Sequence, residues 1–161
     1  MKMVNVVLSA IMAMVFLSGC IAKKEITTSQ PYTVTIKTPS IAISDTGFLN
    51  EGNDYINVQI FAAGNALFNL EMTGETICLD GRCLDAISFN KHFFQQEHYA
   101  GLMHDILKRE PIFKGQNVQQ TPSGFSQEVT LENAFITYRV EEGTLFFKDA
   151  KNGILIRMKK I

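Results

Sequence analysis

The pattern of this chain predicts an α+β, β-rich fold: a curled antiparallel sheet or half-barrel with one broken helical segment packed on it. Three observations carry that prediction. Runs of period-two alternation, rich in β-branched and aromatic residues, lie on both sides of a single stretch of helical period. Short turn signals built on Gly join the runs. The order is strands, helix, strands, and the apolar face of the helix needs the inside of a curled sheet to bury against.

The elements follow in order. "YTVTIKT" (Tyr32 to Thr38) alternates and reads as a strand. "PSIAISDTGFLNEGND" reads as a short apolar piece followed by turn residues, with Asp45-Thr46-Gly47 a turn. "YINVQIFAAG" places Ile56, Val58 and Ile60 on one strand face, and "NALFNLEMTG" does the same with Phe68, Leu70 and Met72. Gly64-Asn65 between them is a hairpin signal. "TICL" and "CLDA" form a second hairpin around Asp80-Gly81. Ser88 is the expected N-cap of the helical segment, Gly101 its expected break and Pro111 its end. "GQNVQQTPSG" reads as a loop. "FSQEVTL", "FITYRVE", "TLFFKD" and "GILIRMKKI" read as four strands, with turns at Glu142-Gly143 and Asn152-Gly153. If the sheet curls round the helix, Ile56, Val58, Phe68, Leu70, Phe93, Leu102 and Ile106 face one shared apolar space, and these seven are the candidate ligand-binding residues.

The N-terminus bears on location. Lys2 gives a positive start, and Val6 to Leu17 is an uncharged apolar run of twelve residues. That length suits a signal peptide and is too short to span a bilayer as a helix. The run ends in "LSGC", Leu17 to Cys20, which resembles the lipobox of bacterial lipoproteins. The resemblance implies cleavage before Cys20, a diacylglyceryl group on its thiol and acylation (palmitate) of the new amino group. An ordinary secretory signal ending in cysteine by chance is the competing reading. The expected layout is a cleaved signal over 1–19, a lipidated tether over 20–31 and one globular domain over 32–161. Ile21, rather than Asp, follows the cysteine, which favours the outer membrane, with the domain facing the periplasm.

Removing 1–19 leaves 142 residues, one domain with enough chain for a core. Fourteen Lys and Arg then balance sixteen Asp and Glu, so nucleic acid is not an expected partner. With Cys20 assigned to lipid, Cys78 and Cys83 remain. An oxidising compartment makes a disulfide their default state. If Asp80-Gly81 is the turn, the two cysteines are the second cross-strand pair, whose Cα atoms come to within about 4.5 Å. Zinc would want a second cysteine pair, and a redox motif a tighter spacing.

Other chemistry finds little support. His92, His98 and His104 recur every six residues and point in separate directions on a helix, so no metal site is expected. "EHYAGLMHD" offers Glu97, His98, His104 and Asp105 at no ligand spacing. "DTGF" matches the core of aspartic protease sites but has no second copy to share the proton. No phosphate loop, nucleophile elbow or dinucleotide fingerprint occurs. No catalytic residue, cofactor or enzymatic activity is expected. Arg157, Lys159 and Lys160 form a basic C-terminal group, read either as solvated charges on an amphipathic strand or as a cationic rim for lipid head groups.

The element order and the terminal strand "GILIRMKKI" give the mature chain a weak resemblance to LolB, the outer-membrane lipoprotein receptor, and its carrier relative LolA. That family folds as an open antiparallel half-barrel covered by helices around an acyl-binding cavity. It is rich in Trp, and this chain has none. The resemblance implies a membrane-anchored module whose ligand is an acyl chain or a lipoprotein. The alternative is an accessory lipoprotein with a filled core that binds a protein partner in an envelope assembly.

Overall fold

The computed structural model describes residues 25–161. The signal segment, Cys20 and the tether as far as residue 24 lie outside the described residues. Six strands come first: β1 (Thr28–Lys37), β2 (Ala42–Glu51), β3 (Tyr55–Ala62), β4 (Asn65–Thr73), β5 (Thr76–Leu79) and β6 (Arg82–Asp85). Two short helices follow, α1 (Ala86–Phe93) and α2 (Leu102–Lys108), and then a 3₁₀ turn over Phe113–Gly115. The chain returns through β7 (Val118–Thr121), β8 (Gly124–Thr130), β9 (Phe135–Glu141), β10 (Thr144–Asp149) and β11 (Ile154–Lys160). All eleven strands form one antiparallel sheet in the order β6-β5-β4-β3-β2-β1-β11-β10-β9-β8-β7. β1 therefore sits in the middle, paired with β2 on one side and β11 on the other, while β6 and β7 are the two open edges. The expected fold class is the observed one.

Alternation sets the inner face. Tyr32, Val34 and Ile36 on β1 and Ile154, Ile156 and Met158 on β11 are all buried and share that face. Three tight turns take positive φ at both central residues, as two-residue hairpins require: Ala63-Gly64 (49° and 82°), Asp80-Gly81 (49° and 83°) and Glu142-Gly143 (48° and 72°). The first is one residue earlier than the sequence suggests.

Three further departures have clear causes. Asp45-Thr46-Gly47 is extended and lies inside β2 rather than in a turn. Gly47 is there for close approach: a Cβ at this position would lie 2.3 Å from the Gln59 carbonyl oxygen. β7 lies in the expected loop, its polar "VQQT" pairing with β8. β1 begins at Thr28, four residues before the expected domain boundary. The Pro31 carbonyl accepts a bond from Ile161 N (3.4 Å) on the β11 side, so the missing proline N–H falls at the end of that ladder.

The helical segment is more broken than its periodicity implies. Asp85, not Ser88, caps α1: its carboxylate accepts from the Ser88 backbone N–H at 2.9 Å. The Ser88 side chain, and then its backbone N–H, hold the Asp85 carboxyl below its usual range by hydrogen bonding. α1 stops at Phe94, and Gln95 then takes φ 61°. The buried Asn90 amide donates to the Tyr99 carbonyl (2.8 Å) and so ties the linker back on the helix. α2 starts after Gly101 and ends in left-handed Arg109. Arg109 donates to Tyr32 Oη (2.6 Å) and to Glu51 (3.2 Å), fastening the helix to β1 and β2.

The inner side is filled by aromatic rings in series. Phe89, Phe93, Phe94, Phe147, Tyr138 and Phe125 follow one another with centroids 5.3, 5.0, 5.5, 6.3 and 5.6 Å apart. Each such ring contributes roughly 1.5–3 kcal/mol when fully buried. The buried Gln127 amide holds the 112–116 loop over them: its Oε1 accepts from Ile112 N (2.9 Å), and its Nε2 donates to the Ile112 and Gln116 carbonyls (3.0 and 2.8 Å).

Candidate functional site

The β5–β6 hairpin builds the site. Leu79 pairs with Arg82, Cys78 with Cys83 and Ile77 with Leu84. Alternation then separates the residues by face. Cys78 and Cys83 lie on the outer face and are joined by a disulfide, their Cα atoms 3.9 Å apart. Leu79, Arg82 and Leu84 lie toward the inner side. The staple therefore braces, from behind, the strand segment that presents these three side chains. The hairpin is an edge, and edge strands fray most easily; a covalent cross-link there restricts the unfolded hairpin and holds the rim in place.

Opposite the hairpin, the β1–β2 connection supplies Thr38, Ser40 and Ile41, and α1 supplies Phe89, His92 and Phe93. Thr38 Oγ1 accepts from Ser40 N (3.2 Å) and Ile41 N (3.0 Å), which fixes the turn that carries Ile41. The result is a half-open groove of about 190 Å³. Its floor is Phe89 and Phe93, stacked with centroids 5.3 Å apart. Arg82 and His92 stand at its rim. Leu84 (39% exposed) lines it, and Ile87 (44%) extends the apolar surface outside it. A drug-sized ligand takes a pocket of roughly 300–1,000 Å³. At about 190 Å³ this groove is smaller than that, with an apolar lining and Arg82 at one side.

Of the seven residues expected to line a ligand space, only Phe93 lines this groove. Ile56, Val58, Phe68, Leu70, Leu102 and Ile106 are at most 3% exposed and belong with Phe93 to one packed cluster. The structure brings them together as core. Sequence reasoning missed Ile41, Leu79, Arg82, Leu84, Phe89 and His92. The signal for three of them was present: once Asp80-Gly81 is the turn, Leu79, Arg82 and Leu84 are on the face opposite the two cysteines. Nothing local places Ile41 or α1 against that face.

The three histidines do not meet. His92 is at the groove rim, and His104 is exposed beside Asp105 (3.5 Å). His98 is buried between the rings of Phe94 and Phe113 (centroids 5.7 and 5.8 Å), and its Nε2 has no hydrogen-bond partner. Burial pushes its pKa down, and the nearby Asp149 carboxylate opposes that shift. Tyr99 Oη donates to Asp105 (2.7 Å) and accepts from Phe113 N (3.2 Å). This places Asp105 in a structural contact. Among the described residues no three His, Cys, Asp or Glu side chains group as a metal site, and no helix is long and apolar enough to cross a membrane. A wider hollow of about 740 Å³ over β7–β9 is lined mainly by polar chains such as Gln119, Ser126, Glu128 and Thr137. No protein-family model matches the chain, and no curated protein matches it by sequence.

Proposed function

We propose that this chain is a non-enzymatic lipoprotein of the bacterial outer membrane, anchored through Cys20 and facing the periplasm, that holds the end of an acyl chain in the groove between α1 and the stapled hairpin. The observation that carries the reading is the groove itself: an aromatic floor, aliphatic walls and one guanidinium at the rim with no ion pair among the described residues. The disulfide supports an oxidising compartment. The half-open sheet with helices on its inner side supports the resemblance to the LolA and LolB family at the level of architecture. Architecture alone does not assign activity. The groove's size supports one chain end rather than a whole lipid.

A second reading is favoured by one specific observation. The continuous series of rings from Phe89 to Phe125 fills the interior, as expected of an accessory lipoprotein that binds a protein partner and no ligand.

A fluorescent fatty acid titrated into the purified protein separates the two. The acyl reading expects saturable binding that Ile41→Trp abolishes by filling the groove, with the melting temperature little changed. Absence of binding by the unsubstituted protein overturns it and leaves the accessory reading. The anchor is tested separately: metabolic labelling with a fatty acid is expected to mark the protein and to fail for Cys20→Ala.

A further inference from the structure

We propose that the outer face of β8–β11 and β1 is a docking surface for anionic phospholipid, distinct from the groove and independent of any covalent anchor. Charge is segregated along the chain. Residues 38–81 contain no Lys or Arg and six carboxylates, Asp45, Glu51, Asp54, Glu71, Glu75 and Asp80. Residues 135–161 contain Arg139, Lys148, Lys151, Arg157, Lys159 and Lys160 against Glu141, Glu142 and Asp149. Asp149 is spent internally: it is buried and accepts from Phe135 N, Lys151 N and Asn152.

Register turns this bias into a surface. Thr35, Arg157, Phe146, Arg139 and Ser126 form one cross-strand row on β1, β11, β10, β9 and β8. Lys159 stands in the next row and Lys148 with Lys37 in the row on the other side. The Arg139 guanidinium lies over the half-buried Phe146 ring, 4.9 Å from its centroid. Lys37, Arg139, Lys148, Arg157 and Lys159 are exposed, and none forms an ion pair among the described residues. At the outward positions of these five strands only Glu128 and Glu141 oppose them.

A row of cations along a pleated face, bordered by broad half-open hollows of about 740 and 510 Å³, presents no narrow enclosed slot to shape-select a peptide side chain. It suits a diffuse negative surface, to which each Lys or Arg close by adds about one kcal/mol. The aromatic ring between two guanidinium groups suits the head-group boundary, where an apolar body and charged neighbours are both accommodated. The chain's entry agrees. β1 begins at Thr28 beside the end of β11 that carries Lys159 and Lys160, and Lys23-Lys24 precede it in the sequence.

The test uses residues 25–161, which carry every described strand, both helices and the whole hydrophobic cluster, so no acyl group contributes. Co-sedimentation is measured with vesicles of phosphatidylcholine alone and of phosphatidylcholine with phosphatidylglycerol. Binding is expected only to the second, and is expected to disappear in high salt. The variant Arg139→Glu/Arg157→Glu/Lys159→Glu is expected to lose at least about tenfold in affinity. The control Lys91→Glu/Lys114→Glu/Lys151→Glu is expected to retain it, with circular dichroism reporting that both are folded. Equal binding to phosphatidylcholine alone, no binding to either vesicle, or equal loss in the control overturns the proposal. Binding of soluble poly-glutamate as tight as that of the anionic vesicles overturns it in favour of an acidic polypeptide.

Discussion

On the outer face of β2–β4, Asn50 donates to Asn57 (2.9 Å), Asn57 to Asn69 (2.7 Å) and Asn69 to Glu71 (3.0 Å). On the outer face of β9–β11, Arg139, Arg157 and Lys159 make no ion pair among the described residues. The two regions flank the same central strand and share the same pleat. In the first, polar side chains satisfy one another so well that Asn57 is only 2% exposed, and the ladder pins the register of three strands. In the second, the charges find no carboxylate partner among the described residues, beyond the stacking of Arg139 on Phe146, and remain available. Polar groups that consume each other hold structure, and polar groups left unmatched mark a surface for something else.

Substitutions can break this contrast from either side. The largest effect is expected from Gly47→Ala. The new Cβ would meet the Gln59 carbonyl oxygen at 2.3 Å and force β2 from β3. A loss of about 3 kcal/mol in denaturant unfolding is expected, with vesicle binding by the folded protein unchanged. Asn57→Ala comes next. It orphans Asn50 Nδ2, Asn69 Oδ1 and the Leu70 carbonyl from their amide partner, and about 2 kcal/mol should be lost in the same assay. A cost near zero would mean the ladder is ornamental.

Cys78→Ser/Cys83→Ser should lose no more than about 2 kcal/mol, because the closed loop is short. Fatty-acid affinity should fall with it, since the staple braces Leu79, Arg82 and Leu84. Without reductant, alkylation should find no free thiol at either position.

His98 gives a pH-dependent effect on the other flank. Its pKa in the fold is lowered, chiefly by burial, so the unfolded chain takes up a proton first on acidification. The stability it supports is present above about pH 6.5, the ordinary value, and is lost as pH falls through the lower folded value. Melting temperatures across that window should drop for the natural protein and drop less for His98→Phe. Equal slopes would remove His98 as the cause.

The smallest effect on stability is expected from Phe146→Ala, about 0.5–1 kcal/mol for the lost cation–π contact and a half-buried ring. Its effect on vesicle binding should nonetheless exceed that of Asn57→Ala. If the order is reversed, the two faces do not divide the work as described.

The sequence is informative where a rule is local. Asp80-Gly81 sets the pairing of Cys78 with Cys83, and Glu142-Gly143 sets β9 against β10, because two-residue turns leave no freedom of register. Strand β2 is hidden because Gly47 serves strand contact but reads as a turn residue. β7 is hidden because "VQQT" has almost no apolar residue to alternate. The helical period runs on past Phe93, yet Gln95 takes positive φ and Asn90 holds the linker by a bond no periodicity encodes. Arg157 and Lys159 stand out as a basic group, whereas Arg139 joins them only through cross-strand register. The groove draws on three segments separated by long stretches of chain, so its walls come from tertiary packing.

The pairing of β1 with β11 has a kinetic consequence. Tyr32 meets Lys160 and Val34 meets Met158, partners nearly the whole domain apart in the sequence. Such closure is slow, because a long loop must be ordered before the contact forms. A chain emerging from its N-terminus can pair β1 with β2 early, but the other edge of β1 stays bare until the last strand arrives. For that interval Val34 and Ile36 sit on an open β edge, a template for pairing with another chain. The final seven-residue strand is thus the latch of the molecule, and truncation within Ile154–Lys160 should yield aggregation rather than a shortened fold.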